Sequence, residues 1–94
     1  MAYWGRGAAL MELHEQVARI GSKRDLVDFI KALTVDARAN VALWENHTLE
    51  RYLSALAAWI DDSDGYYENR KLPVPTSPTW KNVGEMLLAA KYYE

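Results

Sequence analysis

Between Ser22 and Asn40 the apolar residues Leu26, Phe29, Ile30, Leu33 and Ala37 recur at intervals that place them on one face of an α-helix. Ser22 opens the segment as an N-cap, with Asp25 three residues on where a capping box carries Glu. The helix should run to about Asn40. The same spacing returns on both sides. Leu10, Leu13, Val17 and Ile20 make a preceding stripe that Gly21 ends. ENHTLERYLSALAAWIDD reads as a third helix, capped by Asn46 or Thr48, with Leu49, Tyr52, Leu53, Leu56 and Ile60 facing inward. Aspartates gather at its C-terminal end, where the helix dipole disfavours them. A fourth helix begins at TSPTW, with Ser77 as cap and Pro78 at the first helical position, which tolerates proline. On it Trp80, Val83, Gly84, Leu87 and Lys91 share a face flanked by Leu88 and Ala90, while Lys81, Glu85 and Tyr92 lie opposite. Tyr92 is therefore expected at the surface.

No run alternates with period two long enough to suggest a strand, so the fold class is all-α. Four amphipathic helices in 94 residues can bury their stripes only against one another, which predicts a compact bundle in a single domain over residues 8–94. Residues 1–7, MAYWGRG, join no stripe and read as a flexible extension. The connection between helices three and four is long and Pro-rich, residues 63–77. Asp64-Gly65 should end the third helix, Tyr66 and Tyr67 should fold back on the bundle, and the prolines should run stiffly to the Ser77 cap.

Composition narrows the chemistry. The absence of cysteine removes disulfides, thiolate metal sites and cysteine nucleophiles, and suits a reducing, cytoplasmic setting. No stretch approaches the roughly 18 apolar residues of a membrane span, and the N-terminal residues lack the pattern of a signal peptide, so no membrane partner is expected. The net charge of -2 is unevenly placed. Residues 45–70 hold Glu45, Glu50, Asp61, Asp62, Asp64 and Glu68 against Arg51 and Arg70 alone. Nucleic acid is not an expected partner, because SKRD is the only adjacent basic pair near a helix start and phosphate binding needs clustered cations.

The aspartates around Gly65 invite a calcium reading. With Gly65 in the sixth position of an EF-hand loop, Ile60 falls at the first ligand position and Lys71 at the twelfth, where a bidentate Glu belongs. Two principal ligands are missing. Asp61, Asp62, Asp64 and Glu68 are consecutive carboxylates near a helix end, a pattern more often solvated than paired across a cleft for acid–base work. His14 and His47 are the only imidazoles, and LHEQV lacks the second histidine of a zinc helix. No phosphate loop occurs, and no serine sits in a nucleophile elbow. RKLPVPTSP resembles a basic Leu-Pro ligand for an SH3-type groove, but Thr76 replaces the proline its register needs, so a stiff crossover is the simpler reading. No catalytic residue, metal ligand or cofactor is expected.

Trp44-Glu45-Asn46, Thr48-Leu49, Tyr52-Leu53, Ala55-Leu56, Trp59, Asp64-Gly65-Tyr66-Tyr67, Asn69, Trp80 and Leu87-Leu88-Ala89-Ala90-Lys91 with Tyr93-Glu94 form a pattern, together with SKRDLVDFIKAL upstream. In these pieces the chain from about Leu13 onward resembles a family of small bacterial proteins classed as a domain of unknown function. The resemblance implies a fold size and no activity.

Four Trp and six Tyr are many for 94 residues, and these side chains are the usual anchors of interfaces. They also serve as packing material, above all Trp59 and Trp80. The expected role is a non-enzymatic interaction module that takes a basic protein partner, in the manner of an immunity protein or a mobile-element inhibitor. Trp59, Asp62, Asp64, Tyr66, Tyr67, Trp80 and Tyr92 are its candidate contact residues. The alternative is a small-molecule or cation-binding domain, with an aromatic pocket and Asp62, Asp64 or Glu45 as charged anchor. Self-association through Tyr92 and Tyr93 is compatible with both.

Overall fold

The computed structural model describes residues 12–93. The expectations for residues 1–7 and for Leu10 lie outside the described residues. Four helices follow one another: α1 (Leu13–Ala18), α2 (Lys23–Ala39), α3 (Leu49–Asn69) and α4 (Trp80–Tyr92), with a short 3-10 turn at Val41–Leu43. Among the described residues there is no strand.

Local side-chain chemistry sets the helix starts. Ser22 Oγ accepts from the Asp25 backbone N–H at 3.1 Å, and the Asp25 carboxylate accepts from Gly21 N–H at 2.9 Å. Thr48 rather than Asn46 caps α3, accepting from Arg51 N–H at 3.1 Å. For α4 the expected start moves two residues on. Thr79 accepts from Asn82 N–H at 3.0 Å while the Asn82 side chain accepts from Thr79 N–H at 2.9 Å. This reciprocal box satisfies two orphan donors, whereas a cap at Ser77 would put Trp80 where the returning acceptor is needed.

The largest departure from expectation is the end of α3. Helix α3 runs straight through Asp64-Gly65 to Asn69, so Tyr66 and Tyr67 are helical residues and the connection is residues 70–79 instead of 63–77. Gly65 keeps a negative φ, and a Cβ placed on it would meet nothing within 4 Å. A glycine in a helix interior costs about 1 kcal/mol, which the burial of Tyr67 one residue pair later outweighs. The helix stops at Lys71, whose φ of 57° is left-handed. Lys71 N–H donates to Glu68 C=O at 3.0 Å and Leu72 N–H to Tyr67 C=O at 2.9 Å, the two bonds of a Schellman ending.

Helix α4 touches each of the other three helices, while α3 lies chiefly on α4. The core joins Val17, Ile20, Leu26, the fully buried Phe29, Leu33, Trp44 and Leu88. Gly84 allows the close approach: a Cβ there would stand 2.5 Å from Ile20 Cδ1 and 3.1 Å from Val17 Cγ2. Helix α3 meets α4 through Tyr52, one of the residues expected to face inward, and through Ala55, Trp59 and Tyr67, while of the other residues in that stripe Leu56 alone is half-buried. Leu49, Leu53 and Ile60 are exposed instead, and on α2 Ile30 is exposed as well. Aromatic side chains bury more surface than leucine, and the two tyrosines also bring hydroxyls that find partners on α4, so they take the contact.

Gly65→Ala is expected to stabilise the protein by about 0.5–1 kcal/mol, and Lys71→Gly by about 1 kcal/mol, both read in urea or thermal unfolding. Gly84→Val should cost on the order of 1–3 kcal/mol in the same measurement, because the branched side chain meets Ile20 and Val17 together.

Candidate functional site

The candidate contact residues of the sequence divide into separate places. Trp59, Tyr66 and Tyr67 do come together along α3: the Trp59 and Tyr66 rings are 5.6 Å apart, and Tyr66 and Tyr67 meet edge-on at 5.1 Å. The Arg70 guanidinium lies 4.7 Å over the Tyr66 ring. Trp59 and Tyr67 are buried and only Tyr66 shows a face to solvent. Tyr67 Oη donates to Glu85 Oε1 at 3.3 Å, and Asn82 Nδ2 lies 3.4 Å from the same hydroxyl. Burial first, and the Glu85 charge beside it, hold the Tyr67 phenol above its ordinary pKa. These two rings are therefore packing between α3 and α4.

Asp62 accepts a 2.6 Å hydrogen bond from Tyr93 Oη, which ties α3 to the end of α4 and raises the Tyr93 pKa. Trp80 stands at the other end of α4, on an open groove of about 820 Å³ bounded by Ile20, Gly21, Pro78, Thr79, Lys81 and Val83. Of the candidate contact residues, Trp80 alone is among those that line it. Tyr92 is exposed as expected, stacks on His14 at 6.1 Å, and carries Lys91 Nζ 4.9 Å over its ring.

Two features were not foreseen as sites. The first is a polar knot below Trp44. Asp36 Oδ2 accepts from Lys91 Nζ and from Trp44 Nε1, each at 2.8 Å, and Asp36 Oδ1 accepts from Asn40 Nδ2 at 2.9 Å. Lys91 is buried and Asp36 half-buried. Burial alone would raise the Asp36 pKa, but the hydrogen bonds from Lys91, Asn40 and Trp44 and the Lys91 charge hold it below its ordinary 3.8. Burial likewise opposes the Lys91 charge, and the bond to Asp36 and the neighbouring Tyr92 overcome it, leaving Lys91 above its ordinary 10.5. Beside the knot Tyr52 Oη donates to Leu87 C=O at 2.6 Å, and burial pushes its pKa up to about 12. Asn46 closes the end of α4: its side chain donates to Ala90 C=O at 2.9 Å and Tyr93 C=O at 2.6 Å, and its backbone N–H to Lys91 C=O at 3.2 Å. The charged members of this knot, Asp36 and Lys91, are paired with each other inside the protein. The knot's sequence signal is Lys91 on the apolar face of α4.

The second feature is the outer side of α3. Leu49, Leu53, Leu56 and Ile60 follow at spacings of four, three and four, the seam pattern of paired helices. Leu49 is 76% exposed, Leu53 52% and Ile60 44%. At 100° per residue, Glu50, Asp61, Asp64 and Glu68 fall within an arc of about 60° along the edge of this row that is turned away from α4. All four are exposed, and among the described residues none of them is in an ion pair. Asp64 is thus the one candidate carboxylate that borders an apolar surface while making no contact of its own. Among the described residues no three carboxylates or imidazoles converge on a metal position, and no helix is long and apolar enough to cross a membrane.

Compared with known proteins, residues 22–94 match the model of a family of unknown function, DUF7660. No curated protein and no solved structure matches the chain.

The polar knot sets the response to pH. Because folding lowers the Asp36 pKa, its contribution is present above pH 3.8 and is lost as pH falls through the lower value of the folded state. The contribution of Lys91 is full below pH 10.5 and is lost as pH rises through its higher folded value. Asp36→Asn should cost about 3 kcal/mol at neutral pH by leaving Lys91 buried without its charge partner, and should flatten the acid limb of stability measured by urea unfolding across pH.

Proposed function

We propose that this chain, which belongs to that family, is a non-enzymatic protein-interaction module whose contact face is the outer side of α3. The observation that carries this reading is the uncovered row of Leu49, Leu53 and Ile60. Single apolar residues at a surface are ordinary, but a continuous row over three turns is the mark of a docking face. Full burial of each such side chain is worth about 1.5–3 kcal/mol, enough together to hold a partner once the cost of association is met. Helix α3 suits the task because it is held on α4 by Tyr52, Trp59 and Tyr67, so its outer face is rigid before anything binds.

The proposed face is not the whole set of residues anticipated from the sequence. Asp64 lies on it. Asp62 is engaged with Tyr93, Tyr67 with α4, and Trp80 and Tyr92 belong to other surfaces. The acidic edge supports a basic partner, as an immunity-like or mobile-element inhibitor protein of a bacterial cytoplasm would have. The knot around Asp36 and Lys91 supports the non-enzymatic reading, since its charged groups are spent on one another.

A photo-crosslinking residue placed at Ala57, beside the row, and a control at the exposed Lys31 on α2 test this in cells of the source organism. A discrete protein adduct is expected at position 57 and not at 31, and it should vanish in a Leu53→Asp, Ile60→Asp variant of unchanged circular dichroism. An adduct pattern at 57 no different from that at 31 refutes the reading.

A further inference from the structure

We infer that the occupant of the outer face of α3 is an amphipathic helix whose apolar row is edged by Lys or Arg; this rests on the interaction reading above. The row Leu49, Leu53, Leu56, Ile60 has the four-three-four spacing into which another helix sets its own side chains, and it is straight over about 17 Å. A β-strand, whose side chains alternate faces, would not match that spacing. Recognition by a helix in a groove is the mode this geometry serves.

Charge selects among helices. One edge of the row is the α4 side, bordered by Tyr52 and Ser63, and the other carries Glu50, Asp61, Asp64 and Glu68. Among the described residues these four carboxylates have no cation of this chain to meet. A helix laid on the row brings its own flank against them. If that flank is acidic, four like charges are drawn together as water leaves; if it is basic, the same positions become ion pairs. A second copy of this chain fits poorly. Paired antiparallel about a two-fold axis, each acidic edge faces the same edge of the other copy; paired parallel, it faces Tyr52 and Ser63, which bring no cation. An anionic membrane surface is repelled by the same edge.

The inference is tested with three synthetic peptides of roughly 18 residues, long enough to cover the row. One is an amphipathic helix with a Leu row edged by Lys, one carries Glu in place of that Lys, and one is a scrambled version of the basic peptide. Binding of each to the full chain is followed by fluorescence anisotropy at low and high salt. The basic amphipathic peptide should bind at least about tenfold more tightly than either of the others, and salt should weaken it. A Glu50→Gln, Asp61→Asn, Asp64→Asn, Glu68→Gln variant, altered only at exposed positions, should lose that preference while keeping its melting temperature. Equal binding of the acidic or scrambled peptide, no binding of the basic one, or a preference that survives the neutralised edge overturns the inference. So does sedimentation showing a dimer that Leu53→Asp dissociates. A partner crosslinked at Ala57 together with failure of the basic peptide would leave the interaction module standing and remove only this choice of occupant.

Discussion

The carboxylate of Asp36, shared between Lys91, Trp44 and Asn40, is the point on which the molecule is assembled. It stands near the end of α2 and receives a cation from the last turn of α4 and an indole from the segment that follows the 3-10 turn. The end of α2, the segment just after it and the last turn of α4, 55 residues on, are thereby fixed to one carboxylate. A buried ion pair contributes little net stability unless every remaining donor and acceptor is satisfied. Here they are, and among the described residues no buried side-chain nitrogen or oxygen lacks a partner. Lys91 also serves the backbone around it, since a cation in the last turn of a helix complements its dipole.

With the end of α4 so held, the rest of that helix becomes the shared wall of the bundle. Gly84 lets α1 come close on one side, and on another Tyr52 reaches the Leu87 carbonyl to set the rotation of α3. That rotation has a functional consequence. Helix α3 buries its aromatic side and turns its leucine row to solvent, so the surface proposed for binding is created by the same contact that completes the core. The acidic edge follows, because the helix continues past Gly65 and keeps Glu68 in register with Glu50, Asp61 and Asp64.

Much of the candidate site was hidden from sequence for identifiable reasons. Asp62 and Asp64 look alike in a string of aspartates, and only the arrival of Tyr93 distinguishes the engaged one from the free-standing one. Asp-Gly commonly ends a helix, which would leave Tyr66 and Tyr67 beyond it, whereas the helix continues when a residue past the glycine, here Tyr67, has a burial site waiting. The true stop at Lys71 carries none of the usual signs, since left-handed backbone is ordinarily the place of glycine or asparagine. Asn46 and Thr48 are equal candidates for the α3 cap by sequence, and Asn46 closes the C-terminal end of a different helix.

What the residues alone decided is local: the four helices of the described residues, the Ser22 cap, a cap for α3 at Asn46 or Thr48, most of the stripe of α2, the absence of cysteine chemistry, and Tyr92 at the surface. These follow from spacing and from hydrogen bonds within three or four residues, which a single stretch of chain already contains. Which side of α3 turns inward and which carboxylate pairs with Lys91 were settled by contacts between segments far apart. A helix that is apolar over more than half its circumference can be packed in several rotations of similar hydrophobic gain, and specific hydroxyl, indole and ammonium partners on its neighbours choose among them.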